Sequence, residues 1–161
     1  MPLPELDERE QVEVRMTVLL GIIQQLMTTR QNRLFAGREL SLSQFGVLNH
    51  FTHEPERSWT VTELAEVMEM NQPGITKIVT VLIDKKLLVS TADKTDKRKR
   101  YLTISKTGLI LCGETFQSLL PDITQVFSDW DDSSLKQFHR HLEKLMLWLD
   151  KHRDDIKLKA E

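Results

Sequence analysis

The chain has 161 residues, 40% of them apolar, with a net charge of -2 and a single cysteine. That length and apolar share suit one domain with its own core, while the lone Cys112 excludes an intrachain disulfide and a cysteine zinc site. Early acids (Glu5, Asp7, Glu8, Glu10) exclude a basic leader, and the apolar run Val18 to Ile23 is too short to cross a bilayer, so a cytoplasmic protein without a membrane partner is expected.

Val12, Met16, Leu19, Ile23 and Leu26 recur at steps of four and three, which predicts a long first helix with one apolar face, running to about Leu34. Gly37 interrupts it. Ser41 with Gln44 is a capping-box pair, and the helix it opens carries Phe45, Leu48 and Phe51. Residues His53 to Ser58 read as a loop. Thr60 with Glu63 repeats the capping box before a short helix containing Leu64, Ala65 and Val67. After only Glu69 to Asn71, a further helix opens with Asn71 as cap and Pro73 in its first turn, where a missing N–H costs nothing. Two short helices joined this tightly predict a helix-turn-helix. Its second helix buries Ile75, Val79 and Leu82, so Pro73, Thr76, Lys77 and Thr80 point the other way.

Beyond Lys85 and Lys86 the period changes. Leu87 to Thr91 and Tyr101 to Ile104 are runs of β-branched, apolar and aromatic residues that predict a hairpin. Between them, Lys94 to Arg100 holds five basic residues against one acid, Asp96. Ser105 can cap the next helix, whose stripe Leu109, Cys112, Phe116, Leu119, Ile123, Val126 runs to about Trp130, with a kink expected at Pro121. Leu135, Phe138, Leu142, Leu145 and Leu149 form a last, seam-like stripe. The fold expected is mainly α with a small β-hairpin wing: a winged helix-turn-helix lobe over 41–105 and a helical dimerisation region from 5–35 and 106–156, all one domain over 1–161.

The order of elements and the segment from Thr60 to Gly108 resemble the MarR family of bacterial regulators. The likeness rests on Thr60-Val61-Thr62-Glu63-Leu64-Ala65, on Gly74-Ile75-Thr76-Lys77-Ile78-Val79-Thr80-Val81-Leu82 with Lys86-Leu87-Leu88-Val89, and on Asp93-Lys94-Thr95-Asp96-Lys97-Arg98 followed by Leu102 to Ser105 and Gly108. Two positions depart from it: Thr95 stands where the family commonly has arginine, and Ser105 where it commonly has threonine. The resemblance implies a DNA-binding transcriptional regulator with a small aromatic or anionic effector bound between the dimer helices and the lobe.

A run of charges is ordinarily a solvated loop, but placed after a helix-turn-helix and between two strands this one reads as a DNA contact. Lys94, Lys97, Lys99 and Arg100 suit phosphates. Arg98 suits the minor groove, with Asp96 to orient it or to hold it in a plain surface ion pair. On the preceding helix, Lys77 can donate to guanine, Thr76 and Thr80 can touch thymine, Gln72 can read adenine or grip phosphate, and Pro73 lies beside them. Two copies would then read a pseudo-palindromic operator on double-stranded DNA as a homodimer, with repression by occupancy. The alternative is a winged-helix protein-interaction module without DNA binding. No catalytic motif, cofactor site or metal set is expected. Cys112 reads as core rather than as a redox sensor, and His50 with His53 as a packed and an exposed histidine rather than as metal ligands.

Overall fold

In the computed structural model, which describes residues 6–96 and 99–155, the elements follow the order α1 (Glu8–Phe35), α2 (Leu42–Thr52), α3 (Val61–Val67), α4 (Gln72–Asp84), β1 (Leu88–Ala92), β2 (Arg100–Ile104), α5 (Lys106–Gln125) and α6 (Asp132–Lys151). The expected order of a long helix, three shorter ones, a hairpin and two long helices is the order observed.

The starts of the helices are set by local chemistry. Ser41 and Thr60 each accept from the amide three residues on, and the Gln44 and Glu63 side chains return the bond, so both expected capping boxes are complete. Each such cap contributes on the order of 1 kcal/mol. Two caps were not expected from the sequence: Asp7 with Glu10 forms a third capping box ahead of α1, and Asp131 opens α6 by accepting from Ser134 N at 2.9 Å and Ser134 Oγ at 2.6 Å.

Two helices end in left-handed residues that are not glycine. At the end of α3, Glu69 has φ 52°, with Met70 N donating to Ala65 O and Glu69 N to Glu66 O. At the end of α4, Lys86 has φ 60°, with Leu87 N donating to Leu82 O and Lys86 N to Ile83 O. Both are Schellman closures, which turn the chain sharply and satisfy the last carbonyls. The first makes the turn of the helix-turn-helix. The second takes Leu87 out of the strand where it was expected, because its amide belongs to the helix end, and β1 begins at Leu88.

β1 and β2 pair antiparallel, Leu88 opposite Ile104 and Ala92 opposite Arg100. Trp59, just before α3, joins them from the other side, exchanging two backbone bonds with Leu102 (2.9 and 2.7 Å). The core lies under this sheet and between α2, α3 and α4, and its fully buried members include Leu48, Phe51, Leu64, Ile75, Leu82 and Leu102. Cys112 belongs to it: its thiol is buried, burial raises its pKa, and Sγ lies 3.8 Å from Asn49 Oδ1.

Ser105 ties the hairpin to α5. Its hydroxyl accepts from Gly108 N (2.9 Å), the expected cap, and donates to Lys86 O (2.8 Å). Gly108 is required there, because a Cβ at that position would sit 2.3 Å from Leu87 O. The helix expected to reach Trp130 stops at Gln125; Phe127, Ser128 and Trp130 instead bond to carbonyls three residues back in a tighter turn. Pro121 is accommodated inside α5.

Packing divides the chain into two units, one reaching to Gln117 and the other starting at Ser118. In the first, every residue of α1 from Glu8 to Arg33 is exposed, and the apolar side chains are not confined to the expected face: Val14 and Val18 lie across the helix from Val12 and Met16. In the second, α6 has no buried residue, and Leu142, Met146, Leu147, Trp148 and Leu149 are exposed. Trp130 packs between Phe127 and Phe138 (ring centroids 5.8 and 5.1 Å).

Candidate nucleic-acid interface

α4 is capped by Asn71, whose Oδ1 accepts from Gly74 N at 2.8 Å. With Ile75, Val79 and Leu82 buried, the opposite side presents Gln72, Pro73, Thr76, Lys77 and Thr80, all exposed. The structure thus brings together on one surface all five residues expected there. Their hydrogen bonds restrict what they can offer. Thr76 Oγ1 donates to Gln72 O and Thr80 Oγ1 to Thr76 O, each at 2.8 Å. Their hydroxyl hydrogens are spent on the helix, so each threonine has oxygen lone pairs and a methyl group left for an outside partner. Gln72 Nε2 donates to Thr62 Oγ1 at 3.1 Å, a link between the two helices of the motif that helical periodicity alone does not reveal.

The hairpin tip is organised by Asp93. Its Oδ1 accepts from Thr95 N (2.7 Å), Thr95 Oγ1 (2.6 Å) and Asp96 N (2.9 Å), while Asp93 N donates to Lys99 O and Lys99 N to Asp96 O. Those bonds, the one from the Thr95 hydroxyl foremost, hold the Asp93 carboxyl far below the usual carboxylate range. Asp93 was not among the expected site residues, although an aspartate with a hydroxyl residue two places on is an Asx-turn signal. Thr95, the departure from the family's arginine, has its place in this turn.

Lys94, Asp96, Lys99 and Arg100 are exposed on the tip or the strand leading from it, whereas Lys97 and Arg98 lie outside the described residues. Lys99 Nζ is 5.2 Å from the Tyr101 ring centre, and hydrogen bonding with Tyr101 raises its pKa. Arg100 lies along β1, Nε donating to Ser90 Oγ at 2.7 Å and Nη2 to Ser90 O at 3.4 Å. It braces the hairpin with its Nε and Nη2 donors.

Between the tip and α3 is an open depression of about 500 Å³ lined by Thr60, Thr62, Glu63, Glu66, Asp96 and Lys99. Glu63 and Glu66 of α3 and Glu69 in the turn after it make this side acidic, and the Glu63 pKa is lowered chiefly by its bonds from the Thr60 backbone and hydroxyl. Acids on α3 disfavour phosphates there. Among the described residues no group of three His, Cys, Asp or Glu is placed to hold a metal ion. His50 packs against Trp59 instead, their ring centroids 4.6 Å apart. Among the described residues no helix is long and apolar enough to cross a membrane.

Comparison with known proteins agrees with this geometry. Residues 39–99 match the model of the MarR family. A MarR family protein from Bacillus stearothermophilus superposes with a TM-score of 0.73 at 20% identity, covering 91% of this chain and 99% of that one. A cysteine-to-serine mutant of MarR from E. coli gives 0.70 at 18%, covering 81% and 95%. The S. aureus MepR–DNA complex gives 0.67 at 19%, covering 83% and 97%. No curated protein matches by sequence at a significant level.

Proposed function

We propose that the chain is a sequence-specific regulator of transcription that binds double-stranded DNA as a homodimer, a reading supported by the match of residues 39–99 to the MarR family model. The observation that carries the reading is the outward face of α4, whose five exposed residues back onto a buried apolar face and are followed by a hairpin with a basic tip. A helix of this kind enters the major groove with the residues of its first turns on base edges, while the tip follows the backbone into the adjacent minor groove. The solved structure of a DNA complex among the similar folds supports the same use.

Three finer assignments belong to the proposal. The exposed apolar surfaces of α1 and α6 suit a second copy, which supports a dimerisation region over 5–35 and 106–156 beside a DNA-binding lobe over 41–105. Two lobes on a twofold axis would read half-sites about one helical turn apart. Occupancy of a promoter makes the protein a repressor in the cytoplasm, released by a small aromatic or anionic effector. Within the tip, Arg98 takes the minor groove beside Asp96, and Lys94, Lys97, Lys99 and Arg100 take phosphates. The activity proposed is binding rather than catalysis.

The test is selection of bound fragments from randomised duplex DNA at two salt concentrations, with wild type and Arg98→Ala in parallel. The reading expects a pseudo-palindrome, retention that falls with salt, and weaker retention by the variant, whose salt slope is smaller by about one per chain. Wild type retaining no duplex at low salt would turn the reading toward a protein-interaction module.

A further inference from the structure

Gln72 opens α4 immediately after its cap, and its Nε2 donates to Thr62 Oγ1 at 3.1 Å, ten residues earlier in the chain. Both residues are exposed, so burial does not force them together. Their backbones are held in place from below: Leu64 and Ala65 of α3 and Ile75 of α4 share the core, and the left-handed Glu69 closes the turn between the helices. On that fixed frame the hydrogen bond settles what a free glutamine leaves open. A terminal carboxamide rotates broadly about its last torsion, and either its oxygen or its nitrogen can lead.

We propose that Thr62 is a positioning residue for base readout, acting through Gln72. In the proposed arrangement the bond to Thr62 uses the Nε2 hydrogen anti to the carbonyl, so the planar amide presents Oε1 beside its remaining N–H. That acceptor and donor pair matches the N6 donor and N7 acceptor on the major-groove edge of adenine. The proposal rests on the reading of α4 as the helix that enters the groove. It decides between the two roles Gln72 could have, adenine readout and phosphate grip. Thr62 also lines the depression shared with Glu63, Glu66, Asp96 and Lys99, where three carboxylates outnumber one ammonium and disfavour a phosphate beside Gln72. Thr62 is the acceptor in the bond, so a hydroxyl is needed at this position and a methyl group of the same shape does not replace it.

The experiment is the same duplex selection, read position by position, for the full chain as wild type, Thr62→Val, Thr62→Ser, Gln72→Ala and the double variant Thr62→Val/Gln72→Ala. Wild type is expected to prefer adenine at one symmetry-related pair of operator positions, and Gln72→Ala to lose that preference. Thr62→Val should weaken it about 3- to 10-fold at the same positions only, with affinity for random duplex unchanged, since a full bidentate contact is worth about 5- to 150-fold. Thr62→Ser should keep it, and the double variant should discriminate no worse than Gln72→Ala, as expected of two residues acting as a unit. A Thr62→Val profile equal to wild type, a change at positions that Gln72→Ala leaves alone, or no rescue by serine overturns the proposal while the regulator reading stands. Wild type selecting no operator overturns both, and that arm reports it separately.

Discussion

The imidazole of His50 meets the indole of Trp59 edge to face, with ring centroids 4.6 Å apart, and His50 Nε2 and Trp59 Nε1 are both buried without a hydrogen-bond partner. Arg57 closes the other side of the indole at 3.6 Å from its centre. Burial lowers the His50 pKa first, the neighbouring His53 and Arg57 lower it further, and Glu54 opposes them weakly. The folded state therefore binds the proton less readily than the unfolded chain. Stability is full above the unfolded value of about 6.5 and is lost as pH falls below it toward the lower folded pKa. Urea midpoints at pH 7.5 and 5.5 should show the acid loss in wild type and a smaller loss in His50→Phe. Equal losses in the two proteins would show that His50 carries none of it.

Lys86→Gly should stabilise the protein. At φ 60° a lysine carries left-handed strain of about 1 kcal/mol, and glycine removes it at some cost in unfolded-chain entropy, for a net gain of about 0.5 kcal/mol. The carbonyl that accepts from Ser105 is backbone and survives the change. Lys86→Val, β-branched in the same conformation, should cost at least about 1 kcal/mol. Denaturant midpoints of the two variants should move in opposite directions from wild type.

Gly108→Ala addresses the contact between the start of α5 and the end of α4. A Cβ at 2.3 Å from the Leu87 carbonyl oxygen meets backbone, which cannot yield as a side chain would. A loss of about 2 kcal/mol or more is expected, in the range of overpacked cores. A urea midpoint unchanged by the substitution would place α5 farther from Leu87 than the structure does.

Asp93→Ala should weaken binding to a selected operator several-fold while leaving thermal unfolding almost unchanged, because it loosens an exposed turn that holds the basic tip. Removing a negative charge near a polyanion acts in the opposite direction, so the pair Asp93→Ala and Asp93→Asn separates the two effects. Asparagine keeps an acceptor for the Thr95 and Asp96 amides and should bind at least as tightly as wild type. Titration of a labelled operator measures both, and tighter binding by the alanine variant would show that charge outweighs turn geometry.

The apolar side chains exposed on α1 and α6 predict a sedimenting mass of two chains at micromolar concentration, and Leu26→Glu, at a side chain 64% exposed in one chain, should shift the equilibrium toward one. A single-chain mass for wild type across the concentration range would remove the second copy from the proposed function.

What was legible in the amino-acid order is what short-range chemistry decides. The caps Ser41, Thr60, Asn71 and Ser105, the buried period Ile75, Val79, Leu82 and the exposed set on α4 each depend on residues within a turn or two of one another. Asp7 with Glu10 at the start of α1 and Asp93 with Thr95 in the hairpin tip are pairings of the same short range. The first strand starts one residue later than its sequence pattern suggests, at Leu88 rather than Leu87, because the Schellman closure at Lys86 uses lysine where glycine is the usual marker.

The remainder depends on which elements meet. Trp59 became a strand partner only because β2 arrives beside it, Thr62 became the acceptor for Gln72 only because the turn at Glu69 brings the start of α4 beside α3, and Gly108 became obligatory only against the Leu87 carbonyl. Sequence by itself determined the helices, their caps and the polar face of α4, since these obey periodicity and hydrogen bonding within a few residues. Tertiary structure alone decided how that face is braced and how the hairpin is anchored, since contacts across 10 to 43 residues, from Thr62 with Gln72 to Trp59 with Leu102, leave no periodic trace in the chain.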